Sequence, residues 1–504
     1  MNLPVIAPVL LPLLAGILLL LLSQARLVWQ RTLSVASAVI QVGLALALMA
    51  MVNHGDILVY ALGNWPAPFG IVLVADRLAA WMLVITALLA LFALLYALRG
   101  EDHAGRYFHV LFQLQLFGLN GAFLTGDLFN LFVFFEILLL ASYGLLLHGG
   151  GRRRIRAGLH FVVVNLVGST LFLFAVGTLY GVLGTLNMAD LAIKAAAAPP
   201  ENVPLVRAAG LLLFAVFALK AALLPVYLWL PAAYAHTSAP VAALFAIMTK
   251  VGAYSILRVY TLIFGPEAGP TANLIEFWLL PLALATLLIG MIGAVASTHL
   301  RPQAAYLVMA SVGSLLTAFG LHSHAGIAAG LYYLPHTTFA AAALFLLADL
   351  IARQRGVLND RLDPGPDLPD SRLLGSLFFI TAIAVTGLPP LAGFLGKFLT
   401  LQAALDHPFL PWVMGIVLVA ALLGLIALAR TGSLLFYRVD PETTPAAPWP
   451  AIRADIAPVI GLLLLVLGLT VGAGPALDQS RAIAGQLLEP QRYIQAVLKP
   501  GGTP

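Results

Sequence analysis

The sequence predicts an all-α polytopic membrane protein of about fourteen transmembrane helices, and three observations predict it. Of 504 residues, 61% are hydrophobic and only 9% are charged, with a mean hydropathy of +1.00. A soluble domain carries about 25% charged residues. Apolar runs of about 18–30 residues recur from end to end, each long enough to cross a hydrocarbon core of ~30 Å. Lysine and arginine fall mainly in alternate connections between those runs. Lipid is therefore the solvent for most of this surface. The runs do not alternate in polarity, so they read as helices and not as barrel strands.

Spans are expected near 3–23, 32–52, 71–98, 107–125, 128–147, 156–184, 206–230, 239–263, 274–297, 302–321, 325–351, 373–405, 411–436 and 455–475. The first has no basic n-region and no small-residue cleavage site, so it is read as a retained span and not a signal peptide. Alternate connections hold Arg26 and Arg31; Arg99 and Arg106; Arg152, Arg153, Arg154 and Arg156; Arg301; Arg353, Arg355, Arg361 and Arg372; and Arg430, Arg438 and Arg453. The other side holds Arg77, Lys194, Arg207, Arg258, Arg481, Arg492 and Lys499. The first set is roughly twice the second, which places it in the cytoplasm and both termini on the outer face of the membrane.

The longest polar connections, 352–372 and 438–454, read as ordered turns or partner contacts. Segment 185–205 is expected along the outer surface. The tail 478–499 is polar at Asp478, Arg481, Gln486, Glu489 and Arg492. It reads either as an amphipathic helix resting on the membrane or a neighbour, or as a frayed end. The chain has no cysteine. That excludes disulfides, thiolate metal sites, Fe–S ligation and cysteine nucleophiles. Its net charge of +5 is spread over short loops and forms no nucleic-acid face.

Depth sorts the ionisable residues. Nearly every acid lies in a connection or near a span end, but Glu136 is central in LFVFFEILLLASY. Lys220 is central in the seventh span and Lys250 in the eighth, while Lys397 follows a break in the twelfth and His336 lies within the eleventh. A charge at the bilayer centre costs at least ~2.5–3.5 kcal/mol, so such groups face a bundle interior and mark ion or proton paths. Histidine titrates near neutrality, and a lysine drawn between burial and an opposite charge joins it there. One acid, three lysines and a histidine on separate helices make a proton relay. The alternatives are static ion pairs, lysines snorkelling to the interface, and a histidine that only bonds two helices together.

Two spans are interrupted. The seventh contains Pro225; the twelfth contains Gly387, Pro389, Pro390, Gly393 and Gly396. Proline removes a backbone donor and clashes with the preceding turn. Freed backbone groups are tolerated in a membrane only against protein or a wet cavity. The two breaks lie five spans apart, so their helices cross in opposite senses, as in an inverted repeat. The symmetry is incomplete, because Lys220 precedes its proline whereas Lys397 follows its pair.

The segments GDLFNLFVFFEILLLASYGLL (126–146), FALKAALLPVYLWLPAAY (217–234), SAPVAALFAIMTKVGAYSILRVY (238–260) and GLPPLAGFLGKF (387–398) resemble the antiporter-like membrane subunits. That superfamily is shared by complex I, membrane-bound hydrogenases and the Mrp (Pha, Mnh) monovalent cation/proton antiporters, and the resemblance is closest to the D-type subunits of the last. It covers roughly spans 3 to 13. It implies two inverted five-helix repeats, spans 4–8 and 9–13, with helices 7 and 12 broken. The expected units are 1–98 for the first three helices, 107–263 and 274–436 for the repeats, 455–475 for the last helix and 478–504 for the tail. The resemblance also implies roles. Glu136 matches the fifth-helix glutamate that modulates the seventh-helix lysine, Lys220. Lys250 matches the eighth-helix lysine linking two half-channels, Lys397 the twelfth-helix lysine near the exit, and His336 the eleventh-helix histidine. Two positions depart from many relatives: Ala232 stands where they have an acid, and Ala340 where they have a lysine one turn after the histidine.

The leading expectation is a non-enzymatic proton-translocating subunit of a hetero-oligomeric Na+ or K+/H+ antiporter, with no cofactor or metal of its own. A second is the equivalent subunit of a complex I-type or hydrogenase redox pump. A self-contained transporter of an organic solute and a structural scaffold are the remaining readings. The single mid-span acid and the shortage of polar groups for recognising a solute argue against the first of these two, and no oxygen-rich cluster forms a Na+ cage, since Asp127, Asn130, Asn120 and Asn165 are scattered and read as helix–helix contacts.

Overall fold

A computed structural model describes residues 3–24, 26–65, 68–438, 440 and 452–498. In chain order it begins with α1 (Leu3–Leu21) and α2 (Leu27–Val52). A two-stranded antiparallel hairpin follows, β1 (Leu58–Ala61) against β2 (Val72–Ala75), with Leu58 opposite Ala75. Next come α3 (Arg77–Ala97), α4 (Phe108–Leu124), α5 (Leu128–Leu147), α6 (Arg152–Leu183), α7 (Met188–Ala196) and α8 (Val203–Ala221). Then follow α9 (Trp229–His236), α10 (Ala239–Phe245), α11 (Met248–Leu262), α12 (Glu276–Ala296), α13 (Leu300–Phe319) and α14 (His324–Gln354). The chain closes with α15 (Ser371–Thr386), α16 (Ala392–Ala403), α17 (Leu410–Gly432), α18 (Ile452–Val471), α19 (Ala473–Leu487) and α20 (Pro490–Leu498).

Among the described residues, twelve helical segments are long and apolar enough to cross a membrane. The shorter apolar helices α4 and α15 stand where the fourth span and the first half of the twelfth were expected. Several boundaries differ from the sequence reading. The third span starts at Arg77 and not at 71, because Val72–Ala75 pairs as a strand and Asp76 caps the helix by accepting from the Ala79 amide at 2.9 Å. The eighth span is divided at Ala246 and Ile247 into α10 and α11, an interruption with no proline at the joint. Segment 185–205 contains the short helix α7, started by the Asn187 side chain, which accepts from the amides of Ala189 and Asp190. Residues 352–372 form ordered turns in which Arg355 donates to the carbonyls of Arg361 and Asp363. Most of 438–454, the Arg453 side chain and Lys499 lie outside the described residues.

The surface of the bundle is apolar where lipid requires it: Leu14 and Ile17 on α1, Val163 and Leu166 on α6, and Leu418 and Leu422 on α17 are all exposed. The centre is α14, which packs against α3, α10, α13, α15, α16, α18 and α19 and is buried nearly throughout. Prolines inside helices are accommodated by named partners. Pro12 of α1 has no N–H to offer the carbonyl of Pro8. The Asn120 amide of α4 supplies it instead, at 2.8 Å.

The alternation of basic connections has a structural counterpart, because the arginine-rich ends meet on one face. Arg99 and Arg353 both approach Asp455, at 3.7 and 3.8 Å. Arg353 and Arg301 both bind Asp349 at 2.7 Å. Arg154 reaches Glu101 at 3.4 Å. In the turn between α3 and α4, Arg31 binds Asp102 at 2.6 Å and His109 approaches it at 3.3 Å. Burial works against charge on Asp102, but the bonds from His109 and Arg31 prevail and hold its pKa at about 2.

Arg258 falls inside the expected eighth span, 239–263, although the sequence reading counted it with the basic residues of the other side. It lies within α11, nearly fully buried, and pairs with Asp76 at 2.6 Å. The rings of Tyr254 and Tyr493 flank its guanidinium at 5.6 and 5.3 Å. Tyr493 belongs to α20, so the tail is two docked helices, α19 and α20, whose buried side chains include Ile483, Tyr493 and Val497. The frayed alternative is set aside.

Candidate functional site: a row of buried ionisable residues

The five ionisable residues singled out in the sequence all lie on membrane-crossing elements, and the two helix breaks set their positions. The seventh span ends as a helix at Ala221. Ala222 takes a left-handed conformation (φ 57°) and the chain runs irregularly to Trp229. Lys220 is therefore at the carbonyl end of a half-helix, where the peptide dipoles favour a cation. It is 4% exposed, and its Nζ donates to Asn165 Oδ1 on α6 at 3.2 Å. The Asn165 amide is oriented by donating to the Phe161 carbonyl at 2.9 Å. One turn along α6, Ser169 donates to the carboxylate of Glu136 on α5. Glu136 is half-buried and close enough to Lys220 to interact electrostatically, but the two form no direct ion pair.

Two backbone groups released by this break find side-chain partners. The carbonyl of Leu219 accepts from Trp229 Nε1 at 3.0 Å, and the amide of Leu224 donates to Thr286 Oγ1 at 2.8 Å. α11 approaches the break so closely that a Cβ on Gly252 would stand 2.5 Å from the Ala221 nitrogen. That contact fixes the height of Lys250, two residues earlier on α11, relative to Lys220. Lys250 is fully buried, and its Nζ contacts Ser311 Oγ on α13 at 3.5 Å.

The second break repeats this logic with different residues. α15 ends at Thr386, Gly387 is left-handed (φ 71°), and α16 starts at Ala392, whose amide donates to Thr470 Oγ1 of α18 at 2.9 Å. Lys397 on α16 folds back and donates to the Thr386 carbonyl at 2.7 Å. His336 of α14 places Nε2 at 3.0 Å from the carbonyl of Ala384. Lys220 precedes its proline and Lys397 follows its pair, yet both ammonium groups sit at the carbonyl end of a broken half-helix. The asymmetry in the sequence is thus absent from the electrostatics. Both breaks also have an amide received by a threonine hydroxyl from a neighbouring helix.

Among α12, α13, α14 and α15 lies a small cavity of about 20 Å3, bordered by Ser311, Tyr333, His336, Thr337 and Ala340. At the arginine-rich end a larger cleft of about 1000 Å3 opens among α6, α9 and α13, lined by Arg152, Arg153, Arg156, His236 and Arg301. Ala232 also borders it, which leaves Asp360 as the acidic residue of its lining. Among the described residues, no group of three or more His, Asp or Glu side chains is arranged to hold a metal ion.

Sequence reasoning missed the polar residues that touch the lysines. Asn165 was read as a helix–helix contact but is the partner of Lys220. Ser169, Ser311, Thr286 and Thr470 are ordinary in sequence and gain meaning only from what they face. Asn120 does serve as a helix–helix contact. Ser169 and Asn165, one turn apart on α6, join Glu136 and Lys220 to the same helix, and Ser311, the contact of Lys250, borders the same cavity as His336.

Residues 125–424 match the family described as NADH:quinone oxidoreductase/Mrp antiporter, TM. The chain is 40% identical to the D subunit of a probable K(+)/H(+) antiporter from Rhizobium meliloti (strain 1021), over 98% of this chain and 97% of the relative. It is 38% identical to the D subunit of a Na(+)/H(+) antiporter from Bacillus subtilis (strain 168), over 99% and 100%. Its fold superposes on a chain of the Mrp complex from Dietzia sp. DQ12-45-1b with a TM-score of 0.87 and 31% identity, over 99% of this chain and 100% of that one.

Proposed function

The chain belongs to the family of membrane subunits shared by NADH:quinone oxidoreductase and the Mrp antiporters, and from that premise we propose that it is the D-type, proton-carrying subunit of a multisubunit Na+ or K+/H+ antiporter. The assembly exchanges cytoplasmic monovalent cation for external protons, driven by the proton motive force. The chain moves ions and transforms no substrate. Its arginine-rich face is cytoplasmic, its termini face outward, and residues 107–263 and 274–436 act as two five-helix units of opposite sense.

One observation carries this reading: the buried Lys220, Lys250 and His336 and the half-buried Glu136 and Lys397 all lie on membrane-crossing elements, with Lys220 and Lys397 each at the carbonyl end of a broken helix. A static scaffold has no need for two buried lysines and a half-buried third that have no direct carboxylate partner among the described residues, since burial costs desolvation that an ion pair would offset. In a proton path the same lysines alternate between charged and neutral forms. Glu136 is set beside the first of them, Lys220, through Ser169 and Asn165.

The test uses inverted vesicles from antiporter-deficient cells that express the complete set of subunits. The vesicles are energised, and the interior pH is followed while Na+ or K+ is added. Cation-induced loss of the pH gradient in wild type, absent in an assembled Glu136→Ala complex, supports the proposal. No response to either cation would overturn antiport and favour the redox-pump reading.

A further inference from the structure

The cleft at the arginine-rich end holds positive charge that its own lining does not balance. Arg152, Arg153, Arg156 and Arg301 border it, with His236 and His299 beside them and Asp360 as the acidic residue. That carboxylate is already engaged, because its Oδ2 accepts from the Arg301 amide at 3.0 Å. Arg301 is paired with Asp349, and its Nε is buried with no hydrogen-bond partner among the described residues. Arg152, Arg153 and Arg156 are exposed and make no ion pair among the described residues. The first turn of α6 carries two of them and no acid. His236 shares the field of Arg153, His299 and Arg301. Cations crowded in this way repel one another, and an anion seated among them relieves the repulsion. The position of the cleft says which anion. α6 has 32 residues, about 48 Å at ~1.5 Å per residue, against a hydrocarbon core of ~30 Å. The run from Phe161 to Leu183 contains no charged residue, so the excess length lies at the arginine end, at headgroup depth. Below Arg156 on the same face of α6 runs an exposed apolar stripe, Leu159, Val163, Leu166 and Phe174. Positive charge above a strip of apolar surface matches an anionic head on acyl chains.

We propose that the cleft among α6, α9 and α13 is a binding site for the phosphate of an anionic phospholipid, whose acyl chains lie along the exposed face of α6. Arg152, Arg153 and Arg156 supply the charge, and the guanidinium fork suits phosphate oxygens. Basic pockets between transmembrane helices take headgroups of this kind. The bound phosphate offsets the positive potential at this end of the bundle, which otherwise repels an arriving cation. The site does not depend on which ions the chain moves, so the proposal stands apart from the antiporter reading.

The experiment uses the complete complex, purified in neutral detergent. Binding is read as protection against heat-induced aggregation on titration with short-chain phosphatidylglycerol. Short-chain phosphatidylcholine and inorganic phosphate are titrated in parallel. Phosphatidylglycerol is expected to protect at a concentration about tenfold or more below either, since it alone joins net negative charge to apolar chains. The triple variant Arg152→Gln, Arg153→Gln, Arg156→Gln is expected to weaken that protection by roughly 100-fold, about fivefold for each charge. Arg152→Lys, Arg153→Lys and Arg156→Lys together keep the charge and should keep most of the protection. Arg106→Gln, exposed but outside the cleft, should leave it unchanged. Protection that survives the triple glutamine variant would overturn the site. Equal protection by inorganic phosphate would make the anion a soluble one and overturn the lipid. No protection of wild type by phosphatidylglycerol, together with loss of a neighbouring subunit from the triple variant, would overturn it in favour of an acidic partner segment in the cleft.

Discussion

Replacing Gly252 by alanine tests whether the position of α11 against the first helix break is needed for function. An ideal Cβ at this position stands 2.5 Å from the Ala221 nitrogen, 2.8 Å from the Lys220 carbonyl carbon and 2.9 Å from the Ala221 Cα. All three are backbone atoms of a segment bonded on either side, so no flexible side chain can give way. Ordinary contact begins near 3.4 Å, so α11 and the break must separate by roughly 1 Å. Overpacking of this kind costs about 1–3 kcal/mol, and a displacement of ~1 Å at a reacting group can lower a rate by about 100-fold. Gly181 on α6 is the control, because a Cβ there meets nothing within 4 Å. Alanine at that site should be neutral or stabilising, by about 0.5–1 kcal/mol. The assay is cation-dependent proton movement per assembled complex, with heat-induced aggregation of the solubilised complex read in parallel. The account expects Gly252→Ala to assemble less well and to transport far more slowly than Gly181→Ala. Equal, wild-type rates for both would refute the reasoning that this contact sets the spacing of Lys220 and Lys250.

Two further outcomes follow from the same geometry. Thr286→Val and Thr470→Val each leave a buried amide unpaired, at Leu224 and Ala392 respectively, so each should lower the aggregation temperature by an amount equivalent to about 1–3 kcal/mol, and serine at either site should restore most of it. Asp102→Asn should destabilise the complex at pH 7 by about 2 kcal/mol, from a shift of just under two units at ~1.4 kcal/mol each. Because the folded pKa of Asp102 is lowered from 3.8 to about 2, its contribution is full above the unfolded value and lost as pH falls between those two values. The difference between mutant and wild type should therefore persist from pH 7 down to about 5 and shrink below 4, as a pH series of aggregation temperatures would show.

Much of this architecture is legible in the sequence because lipid imposes a simple rule: long apolar runs become helices, and the few ionisable residues inside them stand out. Glu136, Lys220, Lys250, His336 and Lys397 were all found by depth alone, and Pro225, Pro389 and Pro390 marked the two breaks. The break at Ala246 and Ile247 carries no proline and left no comparable signal. The strand Val72–Ala75 was absorbed into the third apolar run, because a short buried strand and a helix end look alike in composition, and its partner Leu58–Ala61 was left in the preceding connection. Arg258 was counted with the basic residues of the other side because the acid that compensates it inside the bundle, Asp76, lies 182 residues away in sequence. The partners of the lysines were invisible for the same reason. Asn165, Ser169 and Ser311 are common residues on helices, and only packing decides which faces they present.

The central claim is that protons cross through this chain's own buried row, and Lys250 tests it most directly. Lys250 is fully buried, lies between the two broken helices, and makes no ion pair among the described residues that its removal would leave unbalanced. The measurement is cation-dependent proton movement by the reconstituted complex carrying Lys250→Met, with subunit composition and wild-type assembly verified on the same preparation. The account predicts loss on the order of 100-fold, as for other positioned proton carriers, in a complex that assembles normally. Retention of wild-type transport by the assembled Lys250→Met complex would contradict it and move the proton path to another chain of the assembly.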